Sequence, residues 1–129
     1  MTNVPGIFAC GNVLHVHDLV DFVSNEAERC GASAIEYCNN NGAVEDSDVF
    51  VSAGSQVRYV VPQKTKSGKS TRFFMRASTI IDKAKLVLTD EQNNEIFSKV
   101  VRYVKPAEML SVDVEIPAQG KYSFSLKEC

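Results

Sequence analysis

The chain has 129 residues and a mass of 14.2 kDa, with 44% hydrophobic and 23% charged residues, the composition of a soluble globular protein. It is too short for a complete dinucleotide-binding enzyme, which needs several βαβ units of about 30 residues, and it lacks the Gly-x-Gly-x-x-Gly fingerprint. Fourteen Lys and Arg against sixteen Asp and Glu give a charge of −2 and a pI near 5.7, which excludes general binding to nucleic acid or an anionic membrane.

Gly6-Ile7-Phe8-Ala9-Cys10-Gly11 is an apolar run of strand length bounded by glycines, and the loop Asn12 to His17 leads from it into a periodic segment. Asp18 is predicted to be the N-cap of a helix, with Asp21 adding negative charge at the positive end of its dipole. Leu19, Phe22, Val23, Ala27, Cys30 and Ala34 recur at spacings of three and four and form one apolar stripe. Asp21, Glu28, Arg29 and Glu36 lie mostly off it. Gly31 costs about 1 kcal/mol inside a helix, so the helix ends there or runs on toward Tyr37. Asn39-Asn40-Asn41-Gly42 stops it, because these residues tolerate left-handed geometry.

From about Asp48 the period changes to two. Candidate strands are Val49–Val51, Gln56–Val61, Arg72–Ala77, Lys83–Thr89, Ile96–Val104, Leu110–Ile116 and Tyr122–Leu126, with turn residues between them about every ten positions. Alternation is clearest in Lys85-Leu86-Val87-Leu88, Ser111–Ile116 and Tyr122–Leu126. The pattern predicts a mainly β chain: a seven-strand immunoglobulin-like antiparallel sandwich over residues 43–129, preceded by one short strand and one helix in residues 1–42.

The four cysteines, Cys10, Cys30, Cys38 and Cys129, form no Cys-x-x-Cys pair and are predicted to be free thiols. Cys10 and Cys30 are expected to be small buried groups, and acidic neighbours make Cys30 a poor nucleophile. His15-x-His17-Asp18 sets two imidazoles on one side of an extended loop, a pattern suited to zinc or iron. A closed site wants four ligands and the chain has only these two histidines, so the segment is read as a loop histidine pair before a capping aspartate, without a metal. Ser67-Gly68-Lys69-Ser70-Thr71 resembles the end of a phosphate loop, but Gln63 stands where its first glycine belongs and a strand is predicted beyond it. Lys64, Lys66, Lys69 and Arg72 then make a solvated basic hairpin tip.

Residues 6–36, from Gly6-Ile7-Phe8-Ala9-Cys10-Gly11-Asn12-Val13 through Leu14-His15-Val16-His17-Asp18-Leu19-Val20-Asp21 to Glu26-Ala27-Glu28-Arg29-Cys30-Gly31, resemble the final flavin-binding motif of FAD-dependent pyridine nucleotide-disulfide oxidoreductases. The branch it is most similar to is thioredoxin-reductase-like and carries a β-rich C-terminal extension, which the stretch with Arg76 and the Val104–Met109 turn resembles. The resemblance implies that Gly11 and Asn12 occupy the family's Gly-Asp positions, where the Asp meets the ribityl region of FAD. It implies that Val16, His17 and Asp18 lie where backbone amides meet the flavin ring. Asn12 replaces the carboxylate with an amide oxygen that can still accept a hydrogen bond.

The same resemblance implies a C-terminal fragment or truncated relative of a flavin-dependent NAD(P)H oxidoreductase, with FAD as the parent cofactor and no catalytic activity by itself. The alternative from the strand pattern is a stand-alone protein-interaction module. Residues 1–42 are then a remnant of a flavin-binding domain, and the stripe Leu19, Phe22, Val23, Ala27 and Cys30 is expected to pair two copies into a homodimer. The chain opens without a basic region leading into an apolar run, and no apolar stretch approaches the roughly 18 residues of a membrane span, so the expected location is the cytoplasm.

Overall fold

The computed structural model describes residues 1–43 and 47–129, which fall into two compact units, Met1–Glu45 and Asp46–Cys129. The boundary read from the sequence, between residues 42 and 43, falls just before residues 44–46, which lie outside the described residues.

In the N-terminal unit the chain runs through a single 3-10 turn, Gly11–Val13, into helix α1, Val20–Asn39. The strand predicted over Gly6–Gly11 does not form. A strand needs a neighbour to take its amides and carbonyls, and among the described residues this unit holds no strand to pair with. The start of the chain instead folds on itself, Thr2 N donating to Ile7 O at 2.8 Å and Ile7 N to Val4 O at 3.2 Å. The segment then lies along α1. Phe8 meets Tyr37 edge-on with ring centroids 5.9 Å apart, and the thiols of Cys10 and Cys30 lie close enough that, after burial, Cys10 pushes the Cys30 thiol pKa up.

The helix begins one residue later than the capping prediction. Leu19 is the N-cap, extended at φ −134° and ψ 145°, and its apolar side chain makes no cap hydrogen bond. Asp18 stands one position before the cap. Asp21 does fall in that turn. The helix passes through Gly31, where an added Cβ would meet nothing within 4 Å, and ends where Asn41 and Gly42 turn left-handed at φ 52° and 78°. Gly42 N then closes on Tyr37 O at 2.9 Å.

The half-buried face of α1 is Val23, Glu26, Cys30, Ala34 and Tyr37, while Leu19, Phe22 and Ala27 of the expected stripe are exposed. A single extended segment is narrower than a helix face. It covers one row at spacings of three and four and leaves the neighbouring row bare. No residue of α1 is fully buried, and Cys10 and Cys30, expected inside, are only half-buried.

The second unit has eight strands: β1 Val49–Ala53, β2 Val57–Val61, β3 Lys64–Thr65, β4 Ser70–Ala77, β5 Ile81–Asp90, β6 Glu95–Val104, β7 Leu110–Glu115 and β8 Gly120–Glu128. They form a five-stranded sheet in the order β3-β1-β8-β5-β6 and a three-stranded sheet in the order β2-β4-β7. Two features differ from a seven-strand antiparallel arrangement. Lys64 and Thr65 add a short strand against Phe50 and Val49, and β1 runs parallel to β8 with Val49 opposite Gly120. These two strands stand at opposite ends of the unit's sequence, so no hairpin imposes an antiparallel sense on them.

Alternation decides which side chains enter the core. Tyr122, Phe124 and Leu126 of β8 and Val112 and Val114 of β7 are buried, with exposed or half-buried residues between them. One cluster joins residues of both sheets, and Phe73 of β4 meets Phe124 of β8 with centroids 5.4 Å apart. Among the described residues no helix is long and apolar enough to cross a membrane.

Candidate functional site

The chemistry-bearing side chains of the N-terminal unit meet at Glu26, in the second turn of α1. The 3-10 turn at Gly11–Val13, with Leu14 N donating to Gly11 O at 2.9 Å, folds the loop back over the helix. Gly11 takes φ 69°, open to few residues other than glycine, and sits against Val23, whose Cγ1 would lie 3.4 Å from an added Cβ. Its amide donates to Glu26 Oε2 at 2.5 Å. Residues 15 and 17 share one side of the extended chain beyond the turn. Both rings reach the same carboxylate, His15 Nε2 at 2.9 Å from Oε1 and His17 Nε2 at 3.0 Å from Oε2.

The cluster is dry. The side chains of His15 and His17 are 3% and 0% exposed and that of Glu26 is 13% exposed. The two imidazoles pack edge-to-face with centroids 4.3 Å apart. Burial pushes the Glu26 carboxyl up, but hydrogen bonds from His15, His17 and the Gly11 amide outweigh it and hold the group below its ordinary value of 4.5. An ionised carboxylate only accepts, so Nε2 carries the proton in each ring.

The loop presents its other side outward. Val16 and Asp18, alternating with the two histidines, are exposed, as is Asn12, whose Oδ1 accepts from His17 N at 3.4 Å. Of the residues singled out in the sequence, the fold therefore gathers Gly11 and the histidine pair His15 and His17 around Glu26 and leaves Asn12, Val16 and Asp18 at the surface. Glu26 and His15 join the cluster although the flavin-motif resemblance assigns neither of them a site role. The available signal was a carboxylate at position 26, between Val23 and Cys30 on the apolar stripe.

His15, His17 and Glu26 are the one group of three or more possible metal-ligating side chains among the described residues, their ligand atoms all within 4.8 Å of one another. The Cys30 thiol is pushed up by burial, then by Cys10 and Glu26, which suits packing rather than nucleophilic attack.

Elsewhere the polar contacts are structural. Arg76 donates to the carbonyls of Pro106 and Ala107, fixing that turn. Arg72 makes a bidentate pair with Asp113 across β4 and β7 at 2.8 and 2.7 Å. Ser67 N and Oγ both donate to Asp48, and those two bonds hold the Asp48 carboxyl below its usual value.

Glu26 gives the unit a pH dependence. Its folded-state pKa is depressed, so its contribution is full above the ordinary value of 4.5 and disappears as the pH falls through the lowered folded value. The Gly11 amide resonance is expected to hold its position down to pH 4.5 and to move below it. Titration of that resonance above 4.5 would contradict this assignment.

No family model, curated protein or solved structure matches the chain.

Proposed function

We propose that residues 1–43 are the flavin-facing loop and helix of a flavin-dependent NAD(P)H oxidoreductase, and that residues 47–129 are its accessory immunoglobulin-like sandwich. The chain by itself has no catalytic activity in this reading. The observation that carries it is the start of α1. The Glu26 cluster turns both imidazoles inward, while Val16 and Asp18 are exposed immediately before the helix start, whose N-cap residue Leu19 makes no side-chain cap hydrogen bond. Backbone amides at such a terminus carry about half a positive charge and stabilise a nearby anion. The anion that builds at N1 and the C2 carbonyl of a reduced flavin is of that kind.

Gly11 and His17 act in this reading by shaping the loop, with Asn12 bracing it through the His17 amide, and the segment Val16, His17 and Asp18 lies where the resemblance sets the flavin ring. For the second unit, the core shared by two sheets supports the sandwich reading, with the parallel β1–β8 pair as its departure from the all-antiparallel pattern.

A second reading, an interaction module, draws on the apolar surface at the helix start. Leu19, Val20 and Phe22 are 58%, 75% and 41% exposed. In a whole flavoprotein the missing domain would cover them; in the isolated chain a second copy does. Gel filtration with excess FAD tests both statements. The chain is expected to elute free of flavin, at about twice 14.2 kDa, because the adenine and pyrophosphate contacts belong to another part of the parent. Stoichiometric FAD in the protein peak would overturn the fragment reading, and elution as a monomer would overturn the dimer.

A further inference from the structure

The two imidazoles and the carboxylate of the N-terminal unit form a donor set as well as a hydrogen-bonded cluster. We propose that His15 Nε2, His17 Nε2 and one Glu26 carboxylate oxygen bind a first-row divalent transition metal ion of the zinc class, leaving at least one coordination position for a small oxygen or nitrogen donor. The inference is independent of the flavin reading, since it uses only side chains within this chain.

Geometry is the first support. Metal bonds of about 2.0–2.2 Å in a tetrahedral site place neighbouring ligand atoms about 3.3–3.6 Å apart. His15 Nε2 is 2.9 Å from Oε1 and His17 Nε2 is 3.0 Å from Oε2, so whichever oxygen ligates already has one imidazole nitrogen beside it, and one ligand atom from each of the three residues fits within 4.8 Å. An ion therefore enters with shifts of about an ångström or less. The second support is burial: both imidazole side chains are at least nine-tenths covered, so the ordering that a flexible site would undergo on binding is already complete.

Donor chemistry selects the ion. Two neutral imidazoles and one carboxylate suit zinc or iron(II), whereas calcium and magnesium take oxygen donors. Three protein ligands rather than four are the mark of a site that keeps a position open. The ion takes the place of the two Nε2 protons that now face Glu26. Each ring transfers its proton from Nε2 to Nδ1 and remains neutral, so the coordinated set carries one negative charge from Glu26 against two positive charges on the metal. The fourth ligand that a closed site would draw from the chain is then an exogenous one.

The full-length chain, stripped with a chelator and titrated with cobalt(II), provides the test. The expected result is one cobalt per chain, visible d–d bands of a four- or five-coordinate site, no thiolate-to-cobalt charge-transfer band, and displacement by one equivalent of zinc. A variant with Cys10→Ser and Cys30→Ser is expected to give the same spectrum. His17→Ala is expected to lose the bands, with circular dichroism reporting whether α1 persists. The wild-type spectrum decides the matter even if that variant unfolds. Thiolate bands, the spectrum of hexaaqua cobalt only, or full cobalt affinity in a His15→Ala, His17→Ala double variant would each overturn the proposal.

Discussion

Glu26→Ala is expected to unfold the N-terminal unit at neutral pH. The substitution takes the acceptor from three donors at once, the Gly11 amide and the Nε2 groups of His15 and His17. Removing one partner of a buried charged cluster costs about 3–5 kcal/mol, because the groups left behind stay desolvated without compensation. The unit has little to set against that loss. No residue of α1 is fully buried, and so short a folded segment is marginal even with an ordinary core. Glu26→Gln keeps the side chain's shape but turns one oxygen into a donor facing other donors, and is expected to cost about 2 kcal/mol. Helical circular dichroism against temperature reads both. The transition of the second unit should stay in place, since its core contains no residue of 1–43. Unchanged helix content in Glu26→Ala would show that the cluster decorates the helix rather than holding the loop to it.

Phe124→Ala is expected to have the corresponding effect on the two-sheet unit. Phe124 is 0% exposed on β8 of the five-stranded sheet and packs on Phe73, also 0% exposed, on β4 of the three-stranded sheet. Truncating a ring of this kind removes its transfer energy and leaves a cavity, about 3–5 kcal/mol together. Phe73→Ala should cost a similar amount. The double variant should lose less than the sum by about 0.5–1.5 kcal/mol, the part belonging to the ring pair itself. Urea unfolding gives these values. A loss below about 1 kcal/mol for either single variant would mean that the two sheets do not depend on this contact.

Features encoded by near neighbours are legible in the sequence. Tyr122, Phe124 and Leu126 alternate with polar residues, so β8 and its inward face can be read from period two alone. The stop at Asn41 and Gly42 is marked by two residues that accept positive φ. Features that depend on distant partners are not legible in this way. Residues 6–11 have a strand's composition, but pairing requires another strand, and their unit contains none among its described residues. Neither β1 nor β8 carries a local mark of parallel pairing, because register across about 70 residues is fixed by the assembled core. Glu26 reads as an ordinary helix carboxylate until the turn at Gly11 brings His15 and His17 over it from 11 and 9 residues away. A shift of one position moved the N-cap from Asp18 to Leu19, so the residue at the cap is apolar rather than a carboxylate.

The start of α1 as a surface for reduced flavin is the central claim. Its direct test is the amide nitrogen-proton spectrum of the full chain titrated with FMN, oxidised and then reduced under anaerobic conditions. The predicted result is a set of shifts confined to residues 16–21, larger for the reduced anion. Without the rest of a cofactor site, and with Asp18 and Asp21 opposing the anion's charge, the dissociation constant should be about 1 mM, or about 4 kcal/mol of binding. Shifts of equal size for both redox states, or shifts that avoid residues 16–21, would contradict that role for the helix start.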